Sequence, residues 1–263
     1  MPHSTRNPEE LPAGYDHRFI KSEAIILRLH DYSETSYVVS LLTRENGQMN
    51  ALAKGGRRPK TIFEGELDLL ADGEAVVLVR SQGLHLLTEF ACRDMHAGLR
   101  NSTGRVSAAW YVAGVAGDVS PEGHPQPEIF DLLRHTLHSL ESGDLAAAVV
   151  SFQVHLLKHS GTMPDLSSCA ACGKPVPGDT VHYCFAKSGP LCDTCRETAG
   201  RTYEVSRAAI TLIAAIGRSS PTTRRRTHIA PVLARETITF LGYIIASAFD
   251  QDSSALKALL SAI

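Results

Sequence analysis

The hydrophobic pattern of this chain changes period once, near residue 97, and that change limits the accessible folds more than any other feature. Before it, apolar residues recur at every second position. Ile25, Leu27 and Leu29 alternate with Ile26, Arg28 and His30, and Val39, Leu41 and Thr43 continue the habit. Met49, Ala51 and Ala53 share one face after Gly47, as do Leu84, Leu86, Thr88 and Phe90 after Gly83. Alternation of this kind belongs to strands, whose side chains point to opposite faces in turn. Glu66–Leu70 and Ala75–Arg80 read as further strands, and Asn46-Gly47, Asp72-Gly73 and Gln82-Gly83 read as turns, since glycine tolerates positive φ. Five or six strands within about eighty residues predict a small closed barrel, because closure removes exposed sheet edges.

After residue 97 the period becomes that of a helix. Val106, Ala109, Trp110 and Ala113 form one stripe, and Ile129, Leu133, Leu137 and Leu140 form another. Residues 145–158 are apolar nearly all round, as a central bundle helix requires, and Gly143-Asp144 supplies the N-cap. Ser206–Ile216 and Ala234–Phe249 are two more helices, and Pro121, Pro125 and Pro127 punctuate the first connection. The class is therefore α+β. The longest uncharged runs, Leu145–Leu157 and Thr237–Phe249, are thirteen residues each, too short to span a membrane. Residues 1–18 have neither a basic nor an apolar signal-peptide region and read as a polar, flexible arm.

Two CxxC pairs, Cys169–Cys172 and Cys192–Cys195, are separated by nineteen residues. This spacing suits a tetrahedral zinc site, in which each pair forms a tight knuckle and Gly173 supplies the turn. Four sulfur ligands close the coordination sphere, so the predicted Zn2+ is structural. With no secretory signal, disulfides are the weaker reading. Cys184 and His182 lie between the knuckles as competing ligands, and Cys92 reads as a packed thiol.

The formal net charge of −2 offers nucleic acid no general attraction. Local accounting differs. Lys54, Arg57, Arg58 and Lys60 fall within seven residues, on a loop containing Gly55, Gly56 and Pro59, and Arg224, Arg225 and Arg226 are consecutive. Each run reads either as a solvated loop or as a binding surface: the first for a phosphate backbone, the second for an acidic peptide tail. Arg28, Arg44 and Arg80 could extend the first surface, with Tyr37 and Phe63 as base-stacking candidates or core residues. No phosphate-binding or dinucleotide fingerprint is present. The i, i+4 pair His155 and His159 lacks the glutamate of HExxH, so both it and the pair His135 and His138 read as ordinary polar helix positions. No nucleophile-elbow sequence frames a serine, and nothing positive favours an enzyme.

These residues resemble the RecO family of bacterial recombination-repair mediators. The resemblance is carried by residues 22–52, with Asp31-Tyr32-Ser33-Glu34, Thr43-Arg44-Glu45-Asn46-Gly47 and Ala53-Lys54-Gly55, by Gly83–Leu87, and by the CxxC pairs. It implies an N-terminal OB-fold domain over 19–97, after the 1–18 arm. A helical domain over 98–263 would then be interrupted by a zinc-ribbon-like module at 166–200. It also implies a cytoplasmic, nucleoid-associated protein that binds single- and double-stranded DNA and anneals complementary strands. With RecR, such a protein helps load RecA onto strands coated by single-strand binding protein, whose C-terminal tail is a further partner. Two rival readings are another OB and zinc-ribbon nucleic-acid protein and an interaction scaffold that hardly touches DNA.

Overall fold

A computed structural model describes residues 18–58, 61–63, 67–220 and 228–263. The alternating region closes into a five-stranded barrel of β1 (Arg18–Ser33), β2 (Ser36–Thr43), β3 (Gly47–Ala53), β4 (Asp72–Val79) and β5 (His85–Asp94). The strand order is β1-β2-β3-β5-β4, with β4 returning to β1 and β3 parallel to β5. This is the OB-fold arrangement. Closure is possible because β1 is long. Its first half pairs with β4, its second half with β2, and the β1–β2 register shifts between Ile26 and Arg28.

Turn chemistry explains two expectations and corrects two others. Asn46-Gly47 and Gln82-Gly83 do turn the chain, with Gly47 at φ +70° and Gly83 at φ +77°. A Cβ on Gly47 would lie 2.4 Å from the His124 carbonyl oxygen. Asp72-Gly73 instead begins β4, where Gly73 lets the strand approach Ala91 of β5. Within the predicted strand Glu66–Leu70, residues 67–70 are not strand; Leu70 takes φ +67° and its N–H donates to the Ile26 carbonyl at 2.8 Å. The remaining residue, Glu66, lies outside the described residues.

The helical region comprises α1 (Thr103–Asp118), α2 (Pro127–Ser142), α3 (Leu145–His159), α4 (Asp193–Arg196), α5 (Arg207–Gly217), α6 (Pro231–Ala248) and α7 (Ser254–Ala262). The sequence did not signal α7. Asp144 caps α3, its side chain accepting from the Ala147 N–H at 2.9 Å. The stripe proposed for α1 is wrong in one member: Trp110 is exposed, and Ala108, Tyr111, Val112 and Val115 face the core instead. No helix among the described residues is long and apolar enough to cross a membrane.

The barrel has its own interior of Ala24, Ile26, Val39, Leu41, Met49, Val77, Leu87 and Phe90. Ile25, Leu42 and Leu70 point outward, into the helical core. Ala24, Ile25 and Ile26 are consecutive and fully buried because both faces of β1 are covered there. Between α3 and α5 the chain leaves the bundle to form a three-stranded sheet of β6 (Thr180–Cys184), β7 (Gly189–Leu191) and β8 (Tyr203–Ser206), ordered β7-β6-β8. Tyr183 and Tyr203 of this sheet pack on Phe240 of α6, at ring-centroid distances of 5.2 and 5.8 Å.

Candidate metal centre and nucleic-acid interface

The four cysteine sulfurs converge. Cys169, Cys172, Cys192 and Cys195 place Sγ atoms within 4.8 Å of one another. Cys172 and Cys192 Sγ are 3.7 Å apart, too far for a disulfide and close to the ~3.8 Å edge of a tetrahedron with 2.3 Å metal–sulfur bonds. Local backbone geometry builds the first knuckle. The Gly173 N–H donates to the Cys169 carbonyl at 2.8 Å and the Cys169 N–H donates to the Lys174 carbonyl at 2.8 Å, with Gly173 at φ +73°. The second knuckle starts α4, where the Arg196 N–H reaches the Cys192 carbonyl at 2.9 Å.

Backbone N–H groups converge on one sulfur. Those of Cys192, Ala171 and Cys172 hold the Cys169 thiol down to about 6. Hydrogen bonding from Cys192 and Cys172, with burial, pushes Cys195 up to about 12. Cys184 is buried in the helical core, and His182 contacts Arg196 and Glu204; neither belongs to the sulfur cluster. The four cysteines are therefore a candidate metal centre.

The basic loop follows β3. Lys54, Arg57 and Arg58 are exposed, whereas Lys60 lies outside the described residues, as do Arg224, Arg225 and Arg226. The loop packs on the tip of the β1–β2 hairpin. The Arg57 N–H donates to the Thr35 carbonyl at 3.1 Å, and the Gly55 N–H reaches Ser36 Oγ at 3.3 Å. The Arg57 guanidinium is already engaged, 3.0 Å from both the Ser33 carbonyl and Asp31 Oδ2, and over the Tyr37 ring. Lys54 and Arg58 remain as the free cations of this patch among the described residues. Phe63 is buried inside the barrel, so it offers no base a face, while Tyr32 at the hairpin tip and Phe19 on β1 are exposed.

Arg28 and Arg44 point at the helices. Arg28 pairs with Asp118 of α1 at 3.0 Å, and Arg44 grips both oxygens of Asp131 on α2 at 2.9 Å. Sequence reasoning missed the central member of this layer. Arg134 of α2 donates to both oxygens of Asp72 at 2.6 and 2.8 Å and to Glu23 at 3.0 Å, and it lies over Phe130 at 4.6 Å. Burial alone would raise Glu23, but Arg134 and Arg93 hold it below its ordinary value. Asp131 is lowered by the hydrogen bonds from Arg44, against a smaller effect of burial. No linear signal joins residues this far apart in the chain. A cleft of about 650 Å³ between the barrel and the α1–α2 connection is lined by Glu45, Asn50, His85 and Glu122, among others. Its charged rim is acidic and gives phosphate no counter-charge.

Two family descriptions match the chain: Recombination protein O N terminal over residues 18–95, and Recombination protein O C terminal over residues 100–250. The DNA repair protein RecO of Anaeromyxobacter sp. (strain K) is 31% identical over 220 residues, covering 82% of this chain and 86% of that protein. The protein of the same name from Rhodopirellula baltica is 35% identical over 178 residues, 66% of each chain. That of Moorella thermoacetica is 29% identical over 219 residues, 82% of this chain and 81% of the relative.

Proposed function

The chain belongs to the RecO family of DNA repair proteins, and from that premise we propose that it is a recombination mediator. It binds single- and double-stranded DNA, anneals complementary strands, and helps RecA replace single-strand binding protein in concert with RecR. The observation that carries the DNA-binding reading is the exposed pair Lys54 and Arg58 on a loop packed against the β1–β2 hairpin, which itself exposes Tyr32, since loops of an OB barrel are where single strands are gripped. Contacts of this kind go to phosphate, which makes affinity independent of sequence and steep in salt. Annealing then needs no catalytic residue. Two strands held on one cationic surface repel less and meet at higher local concentration, and base pairing supplies the driving force.

For these roles we divide the chain into an arm at 1–18, an OB domain at 19–97, and a helical domain at 98–263 interrupted by a zinc module at 166–200. The cysteines would hold Zn2+, which supplies a fixed tetrahedral node joining the two knuckle loops. The work is placed in the cytoplasm, on the nucleoid. Arg224, Arg225 and Arg226 are our candidates for the acidic tail of single-strand binding protein; wild-type tail-peptide affinity in the triple alanine variant would remove that assignment.

The test of the lead reading replaces Lys54, Arg58 and Lys60 with glutamine and titrates single-stranded DNA binding against salt. Three lost phosphate contacts should flatten the log–log slope by roughly 2. An unchanged slope refutes the loop's role. One observation favours a second reading, a scaffold acting through protein partners: the pairing of Arg28 and Arg44 with helix carboxylates thins the free positive surface of the barrel.

A further inference from the structure

Asp94, His96, His138 and Glu141 meet where the last barrel strand gives way to the bundle. Asp94 ends β5, His96 precedes the 3-10 turn Ala97–Asn101, and His138 and Glu141 are one turn apart on α2. His96 Nδ1 lies 3.4 Å from Glu141 Oε2 and 3.5 Å from Asp94 Oδ2; His138 Nδ1 lies 3.4 Å from Asp94 Oδ2 and 3.6 Å from Glu141 Oε2. All four atoms fall within 4.8 Å of one another. These separations are long for hydrogen bonds, whose usual length is about 2.9–3.0 Å. They match the edges of a tetrahedron with 2.0–2.2 Å bonds from nitrogen and oxygen to a metal, which are about 3.3–3.6 Å.

Three further features show a built arrangement. Each carboxylate has one oxygen fixed by backbone and the other turned inward: Asp94 Oδ1 accepts from the His96 N–H at 2.8 Å, and Glu141 Oε1 accepts from the Gly98 N–H at 3.1 Å. Such supporting bonds are how proteins aim metal-binding carboxylates. Gly98 permits the approach, since a Cβ there would stand 3.0 Å from the Glu141 Cβ. His96 is 1% exposed and takes a left-handed backbone at φ +44°, costly for a residue with a side chain. Its Nε2 finds no partner among the described residues. The nitrogen that faces the two carboxylates is Nδ1, the donor atom a metal would take.

We propose that these four residues form a second metal site, independent of the cysteines, for a divalent ion of the zinc class, and that this ion pins β5 to α2. Two neutral imidazoles and two carboxylates carry a charge of −2, which a divalent ion cancels. Mixed nitrogen and oxygen donors in a tetrahedron suit zinc, where an all-oxygen octahedron would suit magnesium. The half-exposed His138 gives the ion an entry path. The competing state is a metal-free network of imidazolium and carboxylate.

The test strips the full-length protein with chelator and titrates it at neutral pH with Zn2+ and, separately, Co2+. The wild type should bind two equivalents, only one of which gives a thiolate-to-cobalt charge-transfer band. His138→Ala, at an exposed position, and Glu141→Gln, which keeps an acceptor for the Gly98 N–H, should each weaken the band-silent equivalent at least tenfold and leave the band intact. A wild type that binds only the band-forming equivalent overturns the site, as do two full-affinity equivalents retained in both variants. A single band-silent equivalent lost in His138→Ala would sustain this site while removing the cysteine centre.

Discussion

Replacing Arg134 with methionine should destabilise the junction between barrel and bundle more than any other charge removal at that layer. Methionine keeps most of the apolar stem over Phe130 and removes the guanidinium. Asp72, with its side chain only 6% exposed, then loses both of its hydrogen bonds, while Glu23 keeps Arg93 at 2.6 Å. Removing one partner of a buried pair costs about 3–5 kcal/mol, because the other charge stays buried and uncompensated. The Arg134 side chain is 23% exposed, so solvent reaches the pair, and a loss of about 3 kcal/mol is expected. For a chain of this size that corresponds to a Tm lower by roughly 6–12 °C. Adding Asp72→Asn should recover at least half of the loss, since the stranded charge is gone. Urea and thermal denaturation of the two single variants and the double variant, followed by far-ultraviolet circular dichroism, measure the cycle. A loss below about 1 kcal/mol in Arg134→Met, or strictly additive losses in the double variant, would refute a buried charge at Asp72 as the cause.

The same layer predicts an acid response. Glu23 and Asp131 are both held below their ordinary values of 4.5 and 3.8 in the folded protein, so their contribution is complete above those values and is lost as pH falls through the lowered ones. Melting temperature should therefore drop steeply below about pH 4.5, and a Tm flat from pH 6 to pH 3 would contradict it. If the cysteine centre holds Zn2+ as proposed, stripping it should diminish the near-ultraviolet dichroism of Tyr183 and Tyr203, which stand on the sheet next to the cysteine loops, while the far-ultraviolet helical signal stays. Unchanged near-ultraviolet spectra in protein verified as metal-free would show that the sheet holds without it.

The period of the apolar residues was enough to determine the barrel-then-bundle order, because burying one face of a strand or helix is a requirement each segment meets locally. The cysteine spacing was legible for the same reason: a CxxC knuckle is a property of adjacent residues, and only two knuckles had to meet. Tertiary structure decided which cations remain free. Arg28 and Arg44 look like part of a basic surface in the sequence, yet carboxylates on helices about ninety residues away, Asp118 and Asp131, neutralise them. It also decided that Phe63 lies inside the barrel and Trp110 outside the core. The cluster of Asp94, His96, His138 and Glu141 shows the limit most clearly. His138 reads as an ordinary helix position, and only the docking of α2 on the end of β5 brings its nitrogen to Asp94. Sequence reports the local demands of burial and turn geometry, whereas partners contributed by different elements exist only once the chain has closed upon itself.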